Sequence, residues 1–486
     1  MESLGSSTFA ATLVAIFLLS SIVYRTSLDS LHAIPGPLIC KLTSLWTYYH
    51  SYFGDESTRI DELHKRYGPI VRIAPNEVII SDGAALAPIY VEKGGFSKAP
   101  CYANFDIEGH ATIFSTQNPE YRSVRSKAVV PLFSMTSIRE GQSAIESCVD
   151  RFIARLKREA AESRKANRQR PVNVLNLTRS LALDAVSSYL FGRAFGGVDE
   201  ESDKLSASAF VDTLVAVGRF FFLPNWIFLT LELARQKFWP AKEEEKSAQT
   251  VGDFVESLLQ GETKGTATYQ ARLLKAGISE HEVKIQCEDV IFAGTDSTGT
   301  SLATICWNLA KRPDVYDRLK NEVAQADMSE RNQSPQIIRY LDAVVREGLR
   351  IAMPNPARLP RMVPKQGLAY GSSSGKQYFL PGGTQVGMQP YSLHFNPEVY
   401  PDPFAFRPER WLDGPTPQMQ RDWIPFGMGS RQCIARNLAT TELRLAVRAI
   451  AKEGALDGAQ AVGEKIELMQ WFNSKVKGEA IELEWQ

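Results

Sequence analysis

The chain has 486 residues, 44% hydrophobic and 23% charged, enough apolar material for a large core. Lys+Arg and Asp+Glu both number 55, and this even balance excludes the basic excess by which nucleic-acid binders hold phosphate. The six cysteines (Cys40, Cys101, Cys148, Cys287, Cys306 and Cys433) include no C-x-x-C pair, which speaks against a zinc site or a disulfide framework and for mostly reduced, buried thiols.

Phe9 to Tyr24 (FAATLVAIFLLSSIVY) is apolar and uncharged. As a helix it spans roughly 24 Å, slightly short of the hydrocarbon thickness of a bilayer. Arg25 and Lys41 follow it and no basic residue precedes it, which puts the rest of the chain on the cytosolic side. A basic n-region and a small-residue cleavage site are missing, so the reading is an uncleaved anchor over residues 1–30 rather than a signal peptide. Residues 31–486 are read as one further domain, entered through the stiff Pro35-Gly36-Pro37.

Ile70 to Ser81 (IVRIAPNEVIIS) predicts a β-hairpin turning at Pro75-Asn76, and a second strand pair brackets Pro381-Gly382-Gly383. Helical periodicity runs through Glu140 to Arg158, Leu175 to Phe191 and Thr440 to Glu453. The charged stretches Arg155 to Arg170 and Lys242 to Lys246 read as solvated surface. The sum is a mainly α fold with a small β-region, without the regular strand–helix alternation of a doubly wound sheet. No G-x-G-x-x-G follows a strand, so no nicotinamide or flavin is held by that route.

Ile278 to Arg312 reads as one helix of roughly 50 Å, opened by a Ser279/Glu282 capping box and stopped by Pro313. Its centre, Ala293-Gly294-Thr295-Asp296-Ser297-Thr298-Gly299, is poor helix interior, and such local conflict marks either a functional site or a kink where two helices cross. Tyr340 to Ile351 (YLDAVVREGLRI) sets Glu347 and Arg350 on one helix face, and FRPERW offers Arg410 as a third partner. Near the end stands FGMGSRQCIAR. Gly427 and Gly429 allow a tight turn and a close approach to a flat ligand. Cys433 sits at the start of the next helix, whose N–H groups favour a thiolate, with Arg431 and Arg436 nearby.

These four elements, in this order, resemble the cytochrome P-450 family of haem-thiolate monooxygenases, and the likeness runs over nearly the whole chain. AGTDST is similar to the family's oxygen-activating helix, EGLR to its Glu-x-x-Arg motif, FRPER to its Pro-Glu-Arg motif and FGMGSRQC to its haem-binding loop. The resemblance implies haem b as cofactor, with Cys433 as the metal ligand and Phe426 and Gly429 beside it. It assigns the propionates to Arg431, Arg125 and Arg358. Asp296, Ser297 and Thr298 would relay protons during dioxygen activation. Glu347, Arg350 and Arg410 would be structural. The chain departs from the pattern at three points. Ala435 replaces a usual Gly and should slightly crowd the loop. Ser297 stands for the principal Thr, and Tyr121 for a usual Trp or His.

The resemblance further implies a hydrophobic small-molecule substrate and electrons from a separate NADPH–cytochrome reductase, with cytochrome b5 as a second candidate donor. The layout is similar to fungal microsomal members that tailor secondary metabolites, on the endoplasmic reticulum membrane with the catalytic domain cytosolic. Cys101 to Phe114, Arg219 to Leu229 and Gln470 to Ser474 are the candidate substrate-facing segments. Two other functions fit a haem-thiolate chain: an isomerase or dehydratase needing no external electrons, which the Asp296-Ser297-Thr298 relay argues against, and a non-catalytic haem-binding protein.

Overall fold

The computed structural model describes the chain except for residues 1–8, 10, 11, 14, 15, 18, 167–169, 202–204, 239–241, 261–266, 332–337 and 373–374. The apolar segment Phe9–Tyr24 therefore lies partly outside the described residues. Those described in it are helical, and Phe9, Leu13, Ile16, Phe17, Leu19 and Val23 are exposed. No helix among the described residues is long and apolar enough to cross a membrane.

The fold is mainly helical, as the periodicity implies. Its axis is α6 (Glu280–Lys311), against which lie α4 (Val174–Phe191), α5 (Ser206–Val217), α7 (Arg339–Ala352) and α8 (Arg436–Lys452), while α3 (Gln142–Lys165) packs on α4 and α8. Two shorter helices used below are α1 (Glu56–Tyr67) and α2 (Pro119–Val129). The Ser279 hydroxyl caps α6 by accepting the Glu282 N–H at 3.4 Å. The capping box is only half made, because the Glu282 carboxylate is drawn away to Arg125 and Tyr121. Pro313 does end α6 and at once opens the next helix, Pro313–Arg331, where its missing N–H costs nothing.

The two glycines at the centre of α6 are contact points with α4. A Cβ on Gly294 would lie 2.7 Å from the Val186 side chain, and one on Gly299 would lie 2.8 Å from the Arg179 Cα. The Thr178 hydroxyl also donates to the Gly299 carbonyl at 2.8 Å. The crossing of two helices is thus real, and α6 runs through it unbroken.

The hairpin forms as expected, β1 (Ile70–Ala74) antiparallel to β2 (Glu77–Ile80). It extends into a five-stranded sheet with β3 (Ser97–Lys98), β4 (Arg361–Met362) and β5 (Gln385–Gly387), in the order β1-β2-β5-β4-β3. The strands bracketing Pro381-Gly382-Gly383 are not partners, contrary to expectation. Gln377–Leu380 pairs with Leu368–Gly371, whereas β5 crosses to β2 and β4. The turn redirects the chain from one sheet to another.

Candidate active site

The Cys433 loop is shaped by contact with its own protein. Gly427 and Gly429 have φ of 66° and 76°. A Cβ on Gly429 would fall 1.7 Å from the Tyr90 carbonyl oxygen, so that glycine serves a backbone-to-backbone approach rather than one to a ligand. Gly429→Ala should cost about 1–3 kcal/mol from the left-handed strain alone, with the clash added, and thermal melting of the purified protein measures it. The Cys433 N–H donates to the Phe426 carbonyl at 2.8 Å, which closes the loop, and α8 begins three residues on. Ala435 has φ of −93°, so its methyl group sits there without backbone strain.

Among the six cysteines, Cys40, Cys148, Cys287 and Cys306 are buried as expected, and Cys101 is half-buried. Burial pushes the Cys40 and Cys306 thiols up to about 12. Cys433 alone is exposed, yet protein atoms crowd it enough to raise its thiol, against the pull of the Ala435 N–H and the Arg436 charge. Both hold when a sulfur faces a recess enclosed by the chain.

Four cations gather beside this loop. Lys98 and Arg361 are cross-strand partners of β3 and β4, hence side by side, an arrangement that is repulsive without an anion. Lys98 is held well below its usual range, first by burial and then by Arg361, Arg431 and Arg122. Arg431 is lowered to about 10 by burial, Arg122 and Arg361, and its Nη1 is buried without a hydrogen-bond partner. Among the described residues no carboxylate lies within ion-pair distance of any of the four. Such a cluster is built to take a multivalent anion.

Two expected members of this cluster are elsewhere. Arg125 makes a bidentate pair with Glu282, Nη2 to Oε2 being 2.7 Å, and Tyr121 joins the same carboxylate. Arg358 is buried against Glu56 and lies 2.6 Å from Glu77, with its guanidinium over the Phe222 ring. Strand pairing and helix phase put Arg361 and Arg122 toward the loop.

Asp296, Ser297 and Thr298 do not share a face, since successive helix positions are turned by roughly 100°. Asp296 is buried, 2.8 Å from Arg179, which also pairs with Asp212 on α5 at 3.0 Å. Burial raises the Asp296 carboxyl while Arg179 lowers it, and its Oδ2 has no hydrogen-bond partner. Ser297 is half-buried, on the same accessible face as the exposed Ala293. Thr298 is buried and lines a small cavity with Glu442 of α8. Glu442 was not singled out from sequence. Both its carboxyl oxygens lack a hydrogen-bond partner and burial pushes it up to about 8, so it stays largely protonated at neutral pH beside Thr298.

The Glu347–Arg350–Arg410 group forms as expected and is fully internal rather than a surface pair. Arg350 donates to both Glu347 oxygens at 2.8 and 2.9 Å, and Arg410 Nε donates at 3.0 Å. The Trp411 indole completes it at 2.9 Å.

The family model for Cytochrome P450 matches residues 35–453 of this chain. The chain belongs to the cytochrome P450 family. It is 38% identical to Cytochrome P450 monooxygenase mfmF of Annulohypoxylon moriforme, covering 97% of this chain and 98% of that protein. It is 30% identical to Cytochrome P450 monooxygenase tazI of Aspergillus terreus, covering 91% and 90%. The Fusicoccadiene C-8 hydroxylase of Alternaria brassicicola is similar at 26%, over 91% and 88%. Cytochrome P450 enzymes are oxidoreductases that hold haem iron through a cysteine thiolate. The residues present fit that group: one accessible cysteine in a recess, and beside it a cation cluster with an orphaned guanidinium nitrogen. The three candidate substrate segments of this cytochrome P450 converge in one aromatic cluster. Phe221 packs on Phe105, Tyr102 and Phe472 at 4.8, 5.2 and 4.1 Å between centroids, and Phe114 lies 5.9 Å from Phe472.

Proposed function

We propose that this cytochrome P450 inserts one oxygen atom from dioxygen into a hydrophobic small molecule, an intermediate of secondary metabolism, and that Cys433 would hold the haem iron. The observation that carries the reading is the accessible Cys433 in its recess beside the unpaired Lys98–Arg122–Arg361–Arg431 cluster. Haem bound through a thiolate supplies the electron-rich iron on which dioxygen is activated. Arg431, Arg361 and Arg122 would hold its carboxylates, and Phe426 and Gly429 shape the loop around Cys433. Arg125 and Arg358, which the family motif assigns to the propionates, keep the surrounding frame through their ion pairs.

Proton supply falls to groups on different sides of α6. Ser297 faces the accessible side and holds its hydroxyl on the Ala293 carbonyl at 2.9 Å. Asp296 brings charge from the Arg179–Asp212 network, and Glu442 keeps a proton beside Thr298. Asp296→Asn preserves shape and removes the charge facing Arg179. Product formation should fall by about 100-fold while NADPH consumption falls less, because proton delivery is lost and electron entry is not. Measuring product per NADPH consumed checks this.

Electrons come from a membrane-bound NADPH–cytochrome reductase, and the chain is anchored in the endoplasmic reticulum membrane through residues 1–30. Supporting this, Leu45, Tyr49, Tyr52 and Phe53 are exposed on one helix, and Trp226, Leu229 and Leu233 on another. Tyr52 of the first lies 5.8 Å from Phe220, five residues before the second begins. Exposed apolar side chains in such number suit a lipid surface.

The test uses microsomes containing this protein, a reductase, NADPH, labelled dioxygen and a pool of apolar metabolites. One metabolite should gain a single labelled oxygen only when NADPH and Cys433 are both present. Conversion without NADPH or label would replace this reading with an isomerase or dehydratase.

A further inference from the structure

We propose that Asp289 is the polar anchor of the substrate site and accepts a hydrogen bond from a neutral hydroxyl on an otherwise apolar substrate, so that this enzyme acts on scaffolds already oxygenated. The inference rests on the monooxygenase reading and adds the substrate class. Asp289, Ala293 and Ser297 stand at i, i+4 and i+8 of α6, and all three keep access while Ile285, Gln286, Cys287, Ile291, Thr295 and Asp296 around them are buried. They form one open stripe of α6, and Glu288, Val290, Phe292 and Gly294 beside them are half-buried. Asp289 and Ser297 are therefore roughly 12 Å apart along the helix axis.

The wall opposite Asp289 is positioned by Gln286. Its Oε1 accepts the Ile113 N–H at 3.0 Å and its Nε2 donates to the Ala111 carbonyl at 3.1 Å. This pins the loop that carries Thr112 and Phe114 onto α6 one turn before Asp289. The Thr112 hydroxyl is close enough to the Asp289 carboxylate to favour its charged form, and Phe114 leads from there into the aromatic cluster with Tyr102 and Phe105. Lys98 carries the nearest charge of opposite sign. Its ammonium is spent on the Phe114 carbonyl and lies over the Tyr102 and Phe114 rings at 4.0 and 3.9 Å. Among the described residues no cation comes within ion-pair distance of Asp289. Burial pushes its carboxyl up to about 6, so at neutral pH it is still mostly charged.

A desolvated carboxylate has room for several donors and is costly to leave with few. Thr112 stands beside it, and the open stripe admits a donor from the substrate. That donor is a neutral hydroxyl, because Lys98 already supplies the nearest charge of opposite sign. The carbon attacked, near Ser297, is then remote from the hydroxyl that is read.

Three series of imidazoles test this on the haem-loaded enzyme: 1-alkylimidazoles of increasing length, their ω-hydroxy forms and their ω-amino forms. The imidazole ligates haem iron whatever the true substrate is, so the Soret shift reports affinity directly. At one chain length the terminal hydroxyl should tighten binding about tenfold over the methyl-terminated isostere, the size of a hydrogen bond to a charged acceptor. Asp289→Ala should abolish that preference and Asp289→Asn should keep part of it, while the amine gains nothing. The inference is overturned by a hydroxyl preference that is equal in the wild type and both variants at every length, or by a preference for the amine. An imidazole that shifts no Soret band in the wild type would instead sink the haem-thiolate reading beneath it.

Discussion

Cys433→Ser is expected to yield a folded chain that loses the thiolate-specific spectrum of its ferrous carbon monoxide complex and more than about 1000-fold of its turnover, roughly 4 kcal/mol of transition-state stabilisation. Serine is nearly the same size, and the loop is held by backbone groups that the substitution leaves alone: the Cys433 N–H to Phe426, and the contact of Gly429 with Tyr90. What changes is the donor atom. A hydroxyl does not ionise near neutral pH and does not push electron density onto iron as sulfur does. Circular dichroism should be unchanged while the carbon monoxide difference spectrum shifts. If the thiolate spectrum survived, the ligand would have to be Cys101, the other cysteine that is not buried.

Glu347→Gln should cost about 3–5 kcal/mol of stability and release haem, although Glu347 lies on α7, away from the Cys433 loop, and touches no ligand. Its carboxylate is fully buried and receives Arg350, Arg410, the Trp411 indole and the Arg407 N–H at 3.0 Å. An amide leaves two buried guanidiniums without a counter-charge. The damage has a path to the loop. Arg350 also donates to the carbonyls of His394, Pro403 and Ala405. Burial and Arg350 hold His394 down to about 3, so the ring is neutral, bonded through Nδ1 to the Arg350 carbonyl. Its Nε2 accepts the Ile424 N–H at 2.8 Å, two residues before Phe426. Thermal melting and haem retention on a desalting column measure the two effects. Loss of stability with full haem retention would show that this path does not reach the loop.

Much of this was legible beforehand because the signals are local. The span of α6, its Ser279 cap and the stop at Pro313 follow from capping chemistry and periodicity, and the hairpin at Pro75-Asn76 from alternation and a turn. The Glu347–Arg350 pair follows from spacing within one helix. The sequence alone could not show that this pair is buried, because burial depends on what packs over it.

The sequence by itself determined the family, the mainly helical class and the cysteine that stands apart from the other five, since each is written in short motifs whose residues act within a turn or two of one another. Tertiary structure decided which cations join Arg431. Lys98 and Arg361 are 263 positions apart and become neighbours only through the β3–β4 register. It likewise turned Arg358 toward Glu56 and Glu77, drew Arg125 to Glu282, and set Glu442 of α8 beside Thr298 of α6. A side chain's partner across a fold is set by register, helix phase and the shape of the enclosing core, and no local stretch of sequence carries those three quantities.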